Sequence, residues 1–292
     1  MNEAVIKEKK IAAVLSILSN SSLIILKVFA GIISGSIGII SEAVHSGSDL
    51  LASVITFFSV SESSKPADED HQFGHGKYED FTSFIEGILI ILAAFYIIYE
   101  AVQKIFCGVE CKINPNVGLV VMFVSVVVNA LVSAYLFKVA KSTGSSALYA
   151  DGEHLRTDIY SSLAVFLGLL CVKITGNLIF DSIIAILVAL IIFLAGYKIC
   201  ETAKNSLLDT SLSKKENDKI TEIIEKHLGN GFISLKNLRT RQAGLKKNIE
   251  MTLTVQKDMH ISTSHKLCDE IEAEIETNLK NTDILIHLEP NG

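Results

Sequence analysis

The chain has no tryptophan and only three prolines in 292 residues. Scarce proline argues against an extended, disordered chain. The missing tryptophan removes a strong anchor at a membrane surface. Nor is there a surplus of positive charge, since the formal net charge is −6 and the isoelectric point lies near 5.8. That balance argues against a nucleic-acid partner, which selects a basic surface. Charge is scarce in one region only. Residues 209–292 hold 26 of the 58 Asp, Glu, Lys and Arg side chains in 84 positions, and the preceding 208 residues hold 32. With 49% hydrophobic residues and a mean hydropathy of +0.43, the chain is too apolar for an ordinary soluble enzyme. It reads as an apolar body followed by a charged, soluble tail.

Crossing the hydrocarbon layer takes about 20 apolar residues in a helix. Val117–Phe137 meets that standard without a single charge. The other apolar segments are interrupted: Lys27 breaks the first, His45 and Asp49 the second, and His154 and Asp158 stand at the start of the fifth. Six spans are expected, at residues 11–35, 37–62, 80–106, 115–140, 146–174 and 178–201. The expected fold is an α-helical membrane protein with a C-terminal α/β domain. Its divisions are an N-terminal segment over 1–10, a six-helix body over 11–207 and a soluble domain over 208–292. Residues 2–10 lead into a segment too long for a signal-peptide core.

Lysines set the orientation. With the amino terminus inside, Lys7, Lys9, Lys10, Lys65, Lys77, Lys138, Lys141, Lys198 and Lys204 fall on the cytoplasmic side, against Lys104, Lys112 and Lys173 outside. Positive residues concentrate inside, so both termini and the tail are expected in the cytoplasm. The membrane would be a bacterial inner membrane or an internal one. The five cysteines do not form a disulfide framework. Cys107 and Cys111 stand four apart without a nearby histidine, and no essential role is expected of them.

Ionisable groups inside a membrane are costly, about 2.5–3.5 kcal/mol each at the centre of a span, and so mark function. Two spans repeat one pattern. His45 and Asp49 are spaced i, i+4, as are His154 and Asp158. Each pair lies on one helix face. Brought together, two imidazoles and two carboxylates form a tetrahedral set suited to Zn²⁺. The competing reading is an intrahelical hydrogen bond or a proton relay without metal; the repetition in two spans favours metal. Metal ligands must be deprotonated, so metal and protons compete for such a site. A third cluster, Asp68, His71 and His75, lies in the glycine-containing loop after the second span, with Glu69 and Asp70 beside it. It reads as a surface metal site or a funnel that draws cations in. Lys27, Glu42, Glu86, Asn20 and Asn129 are read first as packing or pairing groups.

The six spans, the paired His-x₃-Asp motifs, Phe-Gly-His-Gly-Lys-Tyr-Glu at 73–79 and Leu-Arg-Thr-Arg-Gln-Ala-Gly at 238–244 together resemble the cation diffusion facilitator family. The resemblance covers residues 11–290. It implies a homodimeric antiporter that moves a divalent metal out of the cytoplasm in exchange for protons, and not an enzyme. It places His45, Asp49, His154 and Asp158 in the transport site and Asp68, His71 and His75 in a loop site. It matches Lys77 and Asp209 to a charge interlock between body and tail. The nitrogen-rich transport site makes Zn²⁺ the expected cargo; Fe²⁺, Cd²⁺, Co²⁺ and Ni²⁺ accept similar ligands. The rivals are an iron or manganese loading transporter of an internal compartment and a membrane metal sensor that transports nothing.

In the tail, helical periodicity over 213–228 puts Ile220, Ile223, Ile224 and His227 on one side. Strands are expected over 232–242 and 247–255, a helix capped by Ser262 or Thr263 over 262–279, and a short strand over 284–287. That αββαβ order matches the family's metallochaperone-like domain, which dimerises and often binds metal. His265, His287 and Glu289 hold ligand-like positions by that resemblance, with His260 nearby. Asn237 and Thr252 stand where better-equipped members carry histidine, so a full two-metal site is not expected.

Overall fold

The structure is a computed structural model that describes residues 3–34, 37–107, 115–175, 179–229, 232–244 and 246–291. The chain divides into two units, Met1–Lys204 and Asn205–Gly292. The first unit is helical throughout: α1 (Glu3–Ser34), α2 (Ile37–Ser63), α3 (Lys77–Cys107), α4 (Pro115–Thr143), α5 (Ser146–Thr175) and α6 (Ile179–Leu207). These helices overlap the segments read as spans, but α1 starts at Glu3 rather than residue 11, and α6 ends at Leu207 rather than 201. Hydropathy marks only the apolar middle of a helix, whereas its hydrogen bonds continue into polar sequence. Among the described residues, four helices are long and apolar enough to cross a membrane, within Glu3–Ala30, Lys77–Gln103, Phe123–Thr143 and Ser182–Leu207. α2 and α5 are not among those four. They bear the His-Asp pairs, and several side chains of both lie outside what the structure describes.

Small side chains let the helices approach closely. Ala12, Ala13 and Ala147 are fully buried with Leu136, Leu148, Leu155 and Val60 where α1, α2, α4 and α5 meet. A second cluster joins Ile90 and Ala94 of α3 to Ala150 of α5 and Ile192 and Ile199 of α6. A β-carbon on Gly87 would stand 2.6 Å from Cys200 Sγ, and one on Gly196 would stand 3.0 Å from the Gly87 carbonyl oxygen. The α3–α6 contact therefore depends on glycine from both helices. Outward faces carry exposed Phe29, Ile32, Phe58, Phe95, Phe123 and Leu194, as a surface in contact with hydrocarbon should.

One end of the bundle is tied by a buried ion pair. Lys9 Nζ of α1 lies 2.6 Å from Glu79 Oε1 of α3, both nearly inaccessible. Ser63 Oγ donates to the same oxygen at 2.7 Å, and Ser145, just before α5, donates to Glu79 Oε2. Ser146 Oγ donates to Asp80 Oδ1 at 3.0 Å. Lys27 is buried and donates to Ser46 Oγ at 2.7 Å, which fits pairing within the bundle.

The second unit contains α7 (Lys214–Lys226), β1 (Phe232–Ala243), β2 (Lys246–Val255), α8 (Ile261–Asn278) and β3 (Thr282–Pro290). β2 is central, antiparallel to β1 and parallel to β3. Both helices contribute to one core of Ile220, Ile223 and Ile224 with Ile249, Met251, Leu253, Leu267, Ile271 and Ile275. α7 opens with a capping box: Ser213 Oγ accepts from Glu216 N, and Glu216 Oε2 accepts from Ser213 N. The cap of α8 differs from expectation. It is His260, whose Nδ1 accepts from Ser262 N at 3.2 Å, rather than Ser262 or Thr263. The imidazole nitrogen satisfies the exposed amide just as a hydroxyl would. β3 is longer than the expected 284–287, since its ladder with β2 runs from Thr282 to Pro290.

Candidate metal centre

The convergence read from sequence takes shape around three side chains. Asp49 of α2 with His154 and Asp158 of α5 place one ligand atom each within 4.8 Å of one another. Asp49 and His154 are buried, and Asp158 is half-buried. His154 Nε2 lies 3.1 Å from Asp49 Oδ1. The i, i+4 spacing in α5 stacks His154 and Asp158 on one face, and the crossing of α2 supplies Asp49 opposite. His45, the fourth expected ligand, lies one turn before Asp49 on α2, but its side chain falls outside the described residues. The side chain of Cys107 and all of Cys111 fall outside them too.

Around Asp49 the helices are polar. Asn20 Nδ2 of α1 donates to Ser53 Oγ at 2.8 Å, and Ser16 Oγ lies 2.9 Å from the same hydroxyl. Ser53 Oγ reaches Asp151 Oδ1 at 3.2 Å. Asp151 is fully buried and is not among the site residues expected from sequence. Its signal was there: Asp151, His154 and Asp158 stand at i, i+3 and i+7, one continuous face of α5. Glu86, read from sequence as a packing group, is fully buried and accepts from Thr56 Oγ1.

The second triad is built by a turn. Asp68, His71 and His75 also hold ligand atoms within 4.8 Å of one another. Asp68 Oδ1 accepts from the backbone N–H of His71 at 2.7 Å and of Asp70 at 3.1 Å, and Gly74 closes the loop at φ +83°. His75 Nε2 lies 3.3 Å from Asp68 Oδ2, while its Nδ1 lies 3.1 Å from the Pro66 carbonyl oxygen. The two rings stand with centroids 4.4 Å apart. The His71 amide, aided by the nearby imidazoles, holds the Asp68 carboxyl below its usual range and so keeps it charged. Fixing one ring nitrogen by a backbone oxygen while the other faces a carboxylate is how histidines are oriented for metal.

The tail ligands are arranged differently. Neither triad among the described residues contains His265, His287 or Glu289. His265 Nδ1 pairs with Asp269 at 3.4 Å, and Glu289 takes Lys236 Nζ at 3.3 Å, with His287 Nε2 4.0 Å from its other oxygen. Lys236, Thr252 and His287 line up across the three strands, so the ammonium group stands beside the ligand-like positions. Asn237 sits at φ 49° in a bulge between Lys236 and Arg239, an αL position that asparagine tolerates. Lys77 opens α3 in the first unit, and Asp209 pairs with Arg241 at 3.4 Å in the second.

Known proteins match along nearly the whole chain. The transmembrane domain of the cation efflux family matches residues 13–208, and that family's cytoplasmic domain matches residues 212–291. An uncharacterized transporter of Synechocystis sp. is 32% identical over 278 residues, which span 95% of this chain and 89% of that protein. The manganese efflux system protein MneP of Bacillus subtilis is 28% identical over 291 residues, 95% of each chain. The cation-efflux pump FieF of Escherichia fergusonii is 28% identical over 279 residues, 96% of this chain and 92% of the pump. With both domains matched in order along one chain, the protein belongs to the cation efflux, or cation diffusion facilitator, family of metal transporters.

Proposed function

We propose that this chain exports Zn²⁺ from the cytoplasm in exchange for protons, as a homodimer with six membrane spans and both termini inside. The observation that carries the reading is the convergence of Asp49, His154 and Asp158 from two helices. Imidazole nitrogen among carboxylate oxygens suits Zn²⁺ better than Mg²⁺ or Mn²⁺, and His45 would add a second nitrogen. The 3.1 Å contact between His154 Nε2 and Asp49 Oδ1 supports the exchange. A proton held between these atoms would occupy the place of a metal, so loading from the cytoplasm would expel it and protonation from the other side would release the metal. Rocking of helix groups would expose the site alternately.

Asp68, His71 and His75 would collect cations at the cytoplasmic surface. Lys77 and Asp209 would interlock body and tail. The tail would chiefly hold the dimer, since metal at His265, His287 and Glu289 must first displace Lys236 from Glu289.

Proteoliposomes loaded against a pH gradient test this. Zn²⁺ uptake should stop when the gradient is collapsed and fall to background in Asp49→Ala and Asp158→Ala, with the dimer intact. Transport persisting in both variants would remove the site, and accumulation indifferent to the gradient would remove proton exchange. A relative bearing the name manganese efflux system supports the rival cargo. Mn²⁺ or Fe²⁺ flux without Zn²⁺ flux would establish that rival.

A further inference from the structure

Two carboxylates deep in the bundle are used by nothing described so far. Glu86 of α3 and Asp151 of α5 are both 0% exposed, and they lie close enough for their charges to interact with each other and with the His154 ring. Each has one oxygen satisfied, Glu86 by Thr56 and Asp151 by Ser53. The remaining oxygens, Glu86 Oε2 and Asp151 Oδ2, have no hydrogen-bond partner among the described residues. Buried polar atoms are nearly always paired, so two unmet carboxylate oxygens in one interior leave a place for a donor or a cation beside them. Asp151 lies three residues before His154 on α5, and Ser53 lies four after Asp49 on α2. Both steps run the same way along antiparallel helices, so the pair sits about one helical turn, roughly 5 Å, from the His–Asp centre. The displacement is toward the end of the bundle that holds the Lys9–Glu79 pair, the cytoplasmic end in the orientation proposed above.

We propose that Glu86 and Asp151, with the hydroxyls of Ser53 and Thr56, form a second divalent-cation position through which metal passes to the His–Asp centre. The inference rests on the transport reading for its direction of passage, but not for the binding itself. The donor set is oxygen alone, so this position accepts hard cations such as Mn²⁺ more readily than the imidazole-containing centre does. The final choice of metal then falls to His154, one turn further in.

The test measures binding rather than flux, so it reports even if the chain transports nothing. The full-length protein in detergent, with Asp49→Ala, Asp158→Ala, Asp68→Ala and His75→Ala removing the other two clusters, is titrated with Mn²⁺ and followed by electron paramagnetic resonance. Adding Glu86→Gln or Asp151→Asn should each remove one bound Mn²⁺ per protomer. Each variant is checked by its metal-free melting temperature, and should one fail to fold, the other alone decides. An unchanged Mn²⁺ count in a folded variant overturns the proposal and leaves the pair sharing a proton. In the otherwise unmodified protein the same substitutions should raise the KM for cytoplasmic Zn²⁺ while Zn²⁺ still binds at the His–Asp centre. A fall in kcat at unchanged KM would likewise overturn passage through this position.

Discussion

Asp68 shows how a loop fixes the position and charge of one carboxylate. Its oxygen is held by the His71 and Asp70 amides, and its charge is favoured by the same bonds. The folded carboxyl titrates below its unfolded value, so its contribution is present above that value and is lost as the pH falls through the folded one. The ¹³C resonance of the Asp68 carboxylate should therefore titrate at a lower pH in the folded protein than in the unfolded chain. Asp68→Asn should abolish that titration and weaken Zn²⁺ binding at the loop by on the order of tenfold or more. Cys268 shows the opposite case. Burial, with Glu272 and Asp269 adding negative charge nearby, pushes its thiol up to about 11. At pH 8 a maleimide should label it slowly in the folded protein and fast once the tail is unfolded. Asp49 and His154 were legible at this scale because the i, i+4 spacing is a local property. Asp151 was equally periodic, yet nothing local says that its neighbour across the helix is a carboxylate.

Caps and crossings decide the elements. Ser213 and Glu216 satisfy each other's backbone amides at the start of α7, and Lys247 Nζ reaches Glu216 at 2.7 Å. Lys247 and Ser213 hold the Glu216 carboxyl below its usual range, so this support is present at neutral pH and is lost on acidification through that lowered value. Ser213→Ala should cost about 1 kcal/mol in denaturant unfolding of the tail transition, and the cost should shrink toward acid. Between α3 and α6, Gly87 and Gly196 leave no room for side chains. Gly87→Val should lower stability in detergent by about 1–3 kcal/mol, with Cys200→Ala restoring part of it. The apolar middles of the helices were readable from the sequence, though not their ends; the glycine contact was not, because it depends on how two helices are rotated against each other.

Across the whole bundle, the Lys9–Glu79 pair joins α1 to α3, and Ser63 and Ser145 bring in α2 and the start of α5. Removing one partner strands a buried charge. Lys9→Met should cost roughly 3–5 kcal/mol of stability in detergent, and Lys9→Met with Glu79→Met should recover most of it. A double variant no better than the single would mean that the network, rather than the ion pair, is what holds these ends. By itself the amino-acid sequence determined the division into apolar body and charged tail, the positions of the long helices and the two His-x₃-Asp faces. All of these follow from composition and from the 3.6-residue period, which act within one segment. Only the tertiary structure decided that Asp49 meets His154 and Asp158, that Thr56 and Ser53 of one helix reach Glu86 and Asp151, and that Lys236 stands on Glu289 beside the ligand-like His287. Such contacts depend on the depth and rotation of one element against another, and the packing of the whole chain sets both.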